Sequence, residues 1–251
     1  MEADQYCREL EAHLCRRNGG HLVRIVGPAF ELAMAWHRMG VPLKVALQGL
    51  DRHIDRAAAK AATGARRRPM RLEFCEADVM DAFDQWRRAV GLRASALPEG
   101  VAEGVADGAE AGADTEEPSP RARVGLHTHL ERTIARLTGI RVDEAERPDW
   151  SAAIDRTVRQ LDAMLAPARK ARGDARTAML ADLERIDAEL LAAARTAAAP
   201  DLVASALAEA ETDLAPFRAR LSPEAWADAI ARGQARALRL RLGLPAVGWE
   251  G

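Results

Sequence analysis

Residues 42–62 read PLKVALQGLDRHIDRAAAKAA. Leu43, Ala46, Leu47, Leu50 and Ile54 recur there at steps of three and four, the spacing that lines up one face of an α-helix. Pro42 suits a helix start, where the missing N–H costs nothing. Arg52, Arg56 and Lys60 recur at steps of four on the polar side of the same segment. One amphipathic helix therefore carries both an apolar stripe and a basic edge.

The same periodicity extends outward. Tyr6, Leu10 and Leu14 share a face over residues 3–17, and Asn18-Gly19-Gly20 is a stop signal. Leu22-Val23-Arg24-Ile25-Val26 is a short apolar piece, extended or turn-like, that ends at Gly27-Pro28. Pro28 opens a helix to Met39, which Gly40 closes. After the basic stretch 63–69, Val79, Phe83 and Trp86 or Val90 align on a helix over 76–90, and Gly91 ends it.

Composition points to the same class. Apolar residues make up 48% of 251, aromatics only 4%, and alanine supplies much of the apolar content. Alanine and leucine lose little freedom in a helix, whereas the β-branched and aromatic residues a sheet prefers are scarce. An all-α protein is the expectation.

Residues 94–122 break the pattern. ALPEGVAEGVADGAEAGADTEEPSP has no aromatic, and between 96 and 120 there are seven acids and no Lys or Arg. Such a segment buries too little apolar area to offset its conformational entropy, so a disordered acidic linker is expected. The formal charge of −2 thus hides a net +4 over 1–95, −7 over 96–120 and +1 beyond.

A second helical region follows, with a helix over 124–137 and then three apolar seams. Ile154, Val158, Leu161 and Leu165 form the first; Met179, Leu183, Ile186 and Leu190 the second; Val203, Leu207, Ala210, Leu214, Phe217 and Leu221 the third. Alternating steps of four and three are the coiled-coil pattern, and short connections make neighbours antiparallel. Ser222-Pro223-Glu224 is a helix start. The expected architecture is a compact N-terminal helical domain (1–93), the linker (94–122) and a C-terminal antiparallel, coiled-coil-like bundle (123–245).

Chemistry-bearing motifs are few. There is no Gly-Lys-Ser/Thr phosphate loop, dinucleotide glycine fingerprint, HExxH or GxSxG. Cys7, Cys15, His13 and His21 lack metal-site spacing, and so do His127 and His129, which point to different sides of a helix. Cys7 falls in line with the apolar face of its helix and is expected to pack there. No catalytic residue, metal or cofactor is expected. Three cysteines do not make a disulfide framework, no apolar run reaches membrane-spanning length, and MEADQYCREL lacks the character of a signal peptide. A bacterial cytoplasmic protein without a membrane partner is the expectation.

The densest charge lies between 44 and 71, with eight basic residues against Asp51 and Asp55. Arg52, Arg56, Lys60, Arg66, Arg67, Arg68 and Arg71 together would neutralise several phosphates and bind DNA with strong salt dependence. The bland alternative is a solvated helix face, with Asp51 and Asp55 partly pairing the arginines. A later basic run, Arg232, Arg236, Arg239 and Arg241, suits a structural role near a helix C-terminus.

Residues 28–90 resemble the C-terminal helical domain of DnaD-type primosomal proteins. Trp36 ends one helix, Gly40-Val41-Pro42-Leu43 makes the turn, and Val45 to Ile54 supplies the next apolar face. Cys75-x3-Val79-x3-Phe83 then takes the spacing of that family's Tyr-x3-Ile-x3-Trp motif, with all three residues different and Phe74 adjacent. The resemblance implies a non-enzymatic replication accessory that binds DNA and a helicase or initiator. The resulting expectation is a nucleic-acid-associated adaptor, its C-terminal helices meeting another protein or a second copy through Leu183, Ile186, Leu190, Leu207, Leu214 and Phe217. The acidic linker would compete with nucleic acid for the basic face. The alternative is a helical protein–protein interaction scaffold that binds no nucleic acid.

Overall fold

The computed structural model describes residues 1–61, 70–92, 125–140 and 147–249. Among these residues the protein is all-α, without a strand. Helices run over α1 (Ala3–Arg17), α2 (Pro28–Met39), α3 (Leu43–Ala61), α4 (Glu76–Ala89), α5 (Leu126–Thr138), α6 (Pro148–Ala168), α7 (Gly173–Ala197), α8 (Pro200–Leu214) and α9 (Pro223–Leu242). Two short 3-10 turns, Leu72–Cys75 and Ala215–Arg220, lead into α4 and follow α8. The acidic segment 94–122 lies outside the described residues.

The chain divides into two compact units, though not at the expected boundaries. One comprises the described residues of Met1–Gly108 and Glu211–Arg232; the other, those of Ala109–Ala210 and Gly233–Gly251. This division differs from the expected 123–245 domain: residues 211–232, inside that range, group with the N-terminal helices, and the second unit continues past Pro245.

In the first unit, α1 stops where its sequence says it should. Gly19 and Gly20 take positive φ, a region open to glycine, and their N–H groups satisfy the carbonyls of Arg16 and Cys15. The apolar faces of α1–α4 bury Leu10, Leu14, Trp36, Leu50, Val79 and Trp86. Leu214, Phe217 and Ala229 complete this core. The Phe217 ring stands 6.5 Å from Phe83 and 6.0 Å from Trp86, within range of favourable aromatic contact. Filling an aromatic pocket is the physical reason the 211–232 segment joins this unit.

α3 and α4 pack backbone against backbone. A Cβ placed on Gly49 would come within 2.4 Å of the Val79 backbone. Glycine costs an exposed helix interior about 1 kcal/mol relative to alanine, but here it lets two backbones approach.

In the second unit α5 packs on α6 and α6 on α7. The first two seams are internal: Ile154 and Leu161 on α6 and Leu183, Ile186 and Leu190 on α7 are buried in one core. The third seam is not as expected. On α8 the buried residues are Ala206, Ala210 and Leu214, while Leu207 is 36% exposed. The α-helix then gives way to a 3-10 turn at Pro216, which has no N–H to continue the ladder. A seam running unbroken from Val203 to Leu221 cannot form across that change of pitch.

The second unit's C-terminal residues are anchored. Arg239 Nη1 and Nη2 donate to the two Asp187 carboxylate oxygens at 2.8 and 2.5 Å, and the Val247 N–H donates to Asp187 Oδ1 at 2.8 Å. His129 Nε2 lies 3.0 Å from the Val247 carbonyl, and its ring meets Trp249 edge-on at 5.1 Å. Arg241 pairs with Glu209 at 2.5 Å. For Arg239 and Arg241 the expected structural role is what the geometry displays.

Gly49→Ala should lower stability by about 1–3 kcal/mol, because overpacking against Val79 outweighs the gain in helix propensity. Urea unfolding of the full chain measures it; an unchanged or raised midpoint would show that α3 and α4 separate without penalty.

Candidate functional site

Between α3 and α4 the polar side chains are engaged across the helix pair. Gly49, His53 and Arg56 follow at steps of four and three along α3, so the face that approaches Val79 also presents His53 and Arg56 to Asp78. Asp78 occupies the third position of α4, near the positive end of that helix, and is buried. His53 Nδ1 donates to its Oδ2 at 2.7 Å. The Arg56 guanidinium takes both oxygens, Nη1 to Oδ1 at 2.8 Å and Nη2 to Oδ2 more closely. Burial pushes the Asp78 carboxyl up, but the hydrogen bonds and charges of Arg56 and His53 outweigh it and hold the group below its usual range.

The remaining basic side chains fall into distinct settings. Arg52 Nη1 donates to Gln85 Oε1 on α4 at 2.9 Å. Asp51 and Asp55, expected to pair the α3 arginines, face α1 instead. His13 Nε2 bonds Asp51 at 2.8 Å, Arg17 Nε lies 2.9 Å from the same carboxylate, and Arg17 also pairs with Asp55. Arg71 is exposed. The side chains of Lys60, Arg66, Arg67 and Arg68 lie outside the described residues. Of the seven residues read as a phosphate-binding set, then, Arg52 and Arg56 are bonded to neighbours within their own unit, and Arg71 is exposed.

The six residues read as partner-binding are not one surface. Leu183, Ile186 and Leu190 are core residues of the second unit, and Leu214 and Phe217 are core residues of the first. Leu207 alone is exposed. Heptad spacing specifies a buried seam but not whether the partner helix is in the same chain; short connections supply it here.

The cysteines and histidines behave as packing and bonding groups. Cys7 is buried with its sulfur 3.9 Å from Met34 Sδ. Cys75 is fully buried, and burial, followed by the charges of Asp78 and Glu73, pushes its thiol up to about 12. A thiol so raised is a poor nucleophile. His127 and His129 do diverge: Arg169 Nε donates to His127 at 2.8 Å, whereas His129 meets Val247. No group of three metal-ligating side chains occurs among the described residues, and none of their helices is long and apolar enough to cross a membrane.

A second feature of the first unit was visible in the sequence only as a short apolar piece. Residues 22–26 border a cleft of about 360 Å³ whose opposite wall is Met70, Arg71, Leu72 and Glu73. Both walls hang from α1 and its C-cap residue Asn18. Cys15 Sγ and the Val23 backbone exchange contacts at 3.2 and 3.6 Å, Glu11 Oε2 accepts the Ile25 N–H at 3.2 Å, and the Asn18 amide bonds both backbone groups of Met70 at 3.0 and 3.2 Å. Leu22 is 79% and Val26 65% exposed beside this cleft, and Phe74, one residue beyond Glu73, is 62% exposed.

No protein-family model, curated protein or solved structure matches the chain. The resemblance of residues 28–90 to the DnaD-type domain gains no support from these comparisons. Of its motif positions, Cys75, Val79 and Phe83 are core residues, and Phe74 points to solvent.

Asp78→Asn should destabilise the protein at neutral pH by about 1–3 kcal/mol, by leaving His53 and Arg56 without their carboxylate. Because the folded carboxyl titrates below the unfolded one, the wild-type contribution is complete above about pH 4 and is lost as pH falls through the folded value. Urea midpoints measured from pH 7 to pH 2 should therefore converge between the two proteins at low pH. A constant gap would remove ionised Asp78 from the account.

Proposed function

We propose that this protein is a non-enzymatic adaptor that binds another protein through its first helical unit. The observation that carries this reading is the distribution of exposed apolar side chains. Of the seven large ones among the described residues, Leu22, Val26, Phe30 and Phe74 belong to the two segments that wall the cleft or lie within one residue of its lining. Exposed apolar groups gathered around one feature mark interaction surfaces, whereas scattered ones carry no such meaning. The inward-turned chemistry is consistent with this: the Asp78 oxygens are occupied by His53 and Arg56, and the Cys75 thiol is buried.

Nucleic-acid binding is the second reading, favoured by exposed Arg71 at the end of a run that includes Arg66, Arg67 and Arg68. It is weakened by Arg52 and Arg56, whose guanidiniums are already bonded within the unit. If polyanion binding occurs, its phosphate contacts come from Lys60, Arg66–Arg68 and Arg71, in a replication accessory role, and the acidic segment 94–122 competes for them.

A photo-reactive benzoylphenylalanine at position 74 should give a discrete protein adduct in extracts of the source cell, absent when the same group stands at Asp182 on α7. Equal adduct patterns from the two positions would defeat the adaptor reading. Anisotropy with labelled single- and double-stranded DNA separates the alternative. The adaptor reading expects no binding at low salt; a steep salt slope abolished by reversing the charges of Arg66, Arg67 and Arg68 would install the nucleic-acid reading instead.

A further inference from the structure

We infer that the cleft between residues 22–26 and 70–73 receives an extended peptide of a partner protein, paired backbone-to-backbone with Leu22, Arg24 and Val26, with an acidic residue at its centre between apolar ones. This rests on the adaptor reading and assigns its site and the chemistry of its partner.

Burial along 22–26 alternates with a period of two: Val23 and Ile25 turn inward, Leu22, Arg24 and Val26 outward. That is the signature of an extended chain. The spacing of its anchors agrees. Val23 is held by Cys15 and Ile25 by Glu11, four residues apart on α1, a rise of about 6 Å. Two residues of extended chain advance by about the same distance. The segment therefore runs along α1 in the opposite direction, fastened through every second residue.

In an extended chain the N–H and C=O of neighbouring residues point to opposite sides. One side, that of Val23 and Ile25, is taken by α1. The other carries the N–H and C=O of Leu22, Arg24 and Val26, and none of these bonds to another described residue. Such a row of open groups is the edge to which an added strand pairs. Val26 is followed by Gly27, and α2 begins at Pro28, so the edge has a fixed length of about five residues.

The opposite wall limits what enters. Asn18 fixes Met70 through both of its backbone groups, and Leu72 is buried beneath, so the cleft has a defined width rather than a loose flap. A volume of about 360 Å³ is near the low end for ligand pockets and admits a short segment, not a folded surface. Arg24 and Arg71 among the lining residues outweigh Glu73. A residue paired across from Arg24 lies on the same face, where an opposite charge is favoured and a like charge is not. Residues across from Leu22 and Val26 would cover those exposed side chains, and the two intervening residues turn towards Leu72 and Met70. The ligand pattern is apolar, apolar, acidic, apolar, apolar.

The probe is a fluorescein-labelled, capped peptide Gly-Leu-Val-Glu-Val-Leu-Gly, titrated against the full chain by anisotropy. Replacing its Glu by Lys should weaken binding about tenfold, since attraction to Arg24 becomes repulsion. N-methylation of its central residue, which removes a backbone donor, should do at least as much, about tenfold or more. Arg24→Pro keeps the preceding residue extended and removes the edge donor, so binding should be lost while helical circular dichroism is unchanged. Arg24→Glu should reverse the preference between the Glu and Lys peptides. Hydrogen exchange should slow at Leu22, Arg24 and Val26 when the Glu peptide is bound. No binding of the Glu peptide, or indifference to N-methylation, overturns the proposal. So does self-association abolished by Arg24→Pro, which would assign the edge to a second copy of this chain. A partner adduct from position 74 together with failed peptide binding would leave the adaptor reading standing and remove only this site.

Discussion

The close approach of α3 to α4 is the constraint on which the first unit depends. Gly49 lets the two backbones meet at Val79, and that approach brings His53 and Arg56 within bonding distance of Asp78 one residue earlier. A side chain at position 49 would open the gap, and a buried carboxylate with half its partners is costlier than none. Packing and electrostatics are thus coupled: the close backbone approach at Val79 buries Asp78, and its carboxylate is met there by His53 and by an Arg56 that is itself half exposed. The same arrangement removes Arg56 from the pool of cations available to a ligand.

A parallel division of labour holds on the other side of α3. Asp51 and Asp55 pair with His13 and Arg17 of α1, so α3 is tied by ions to both neighbours while its apolar face enters the core. Pairs of this kind add little where they are exposed. Their effect here is on register, because each fixes one turn of a helix against one turn of another. α1 in turn, with its C-cap Asn18, holds both walls of the cleft, through Glu11, Cys15 and Asn18. The cleft's geometry is therefore a consequence of α1, and α1 is positioned by α3.

Much of this was legible in the sequence, and the reasons it stops are physical. Local signals act over a few residues, so Asn18-Gly19-Gly20, Pro28 and Gly40 placed the ends of α1 and α2, and the step of three and four identified Leu50, Val79 and Trp86 as core. Which face meets which is a long-range matter. Nothing near Phe217 says that its pocket is made by Phe83 and Trp86, and heptad spacing at Leu183, Ile186 and Leu190 is the same whether the covering helix is in the same chain or another. Charge behaves alike: the α3 arginines were countable, but their partners Asp78 and Gln85 lie more than twenty residues away. Asn18 was readable as a helix stop, and its second task, bonding both backbone groups of Met70, has no local signature.

The contrast between the arginines on α3 and those at the cleft bears on what surface the protein offers. A guanidinium already held by a buried carboxylate gains little from a new anion, since the first bond must be given up or shared. Arg24 and Arg71 flank apolar side chains and a backbone edge that bonds to no other described residue, so an incoming group can satisfy them without displacing a described partner. Charge alone would accept any anion; charge beside N–H and C=O groups that bond to no other described residue favours a chain that can pair with them. In the proposed complex the edge supplies the affinity and the arginines supply the choice, which is why a peptide, meeting both demands in one cleft, is the ligand proposed for it.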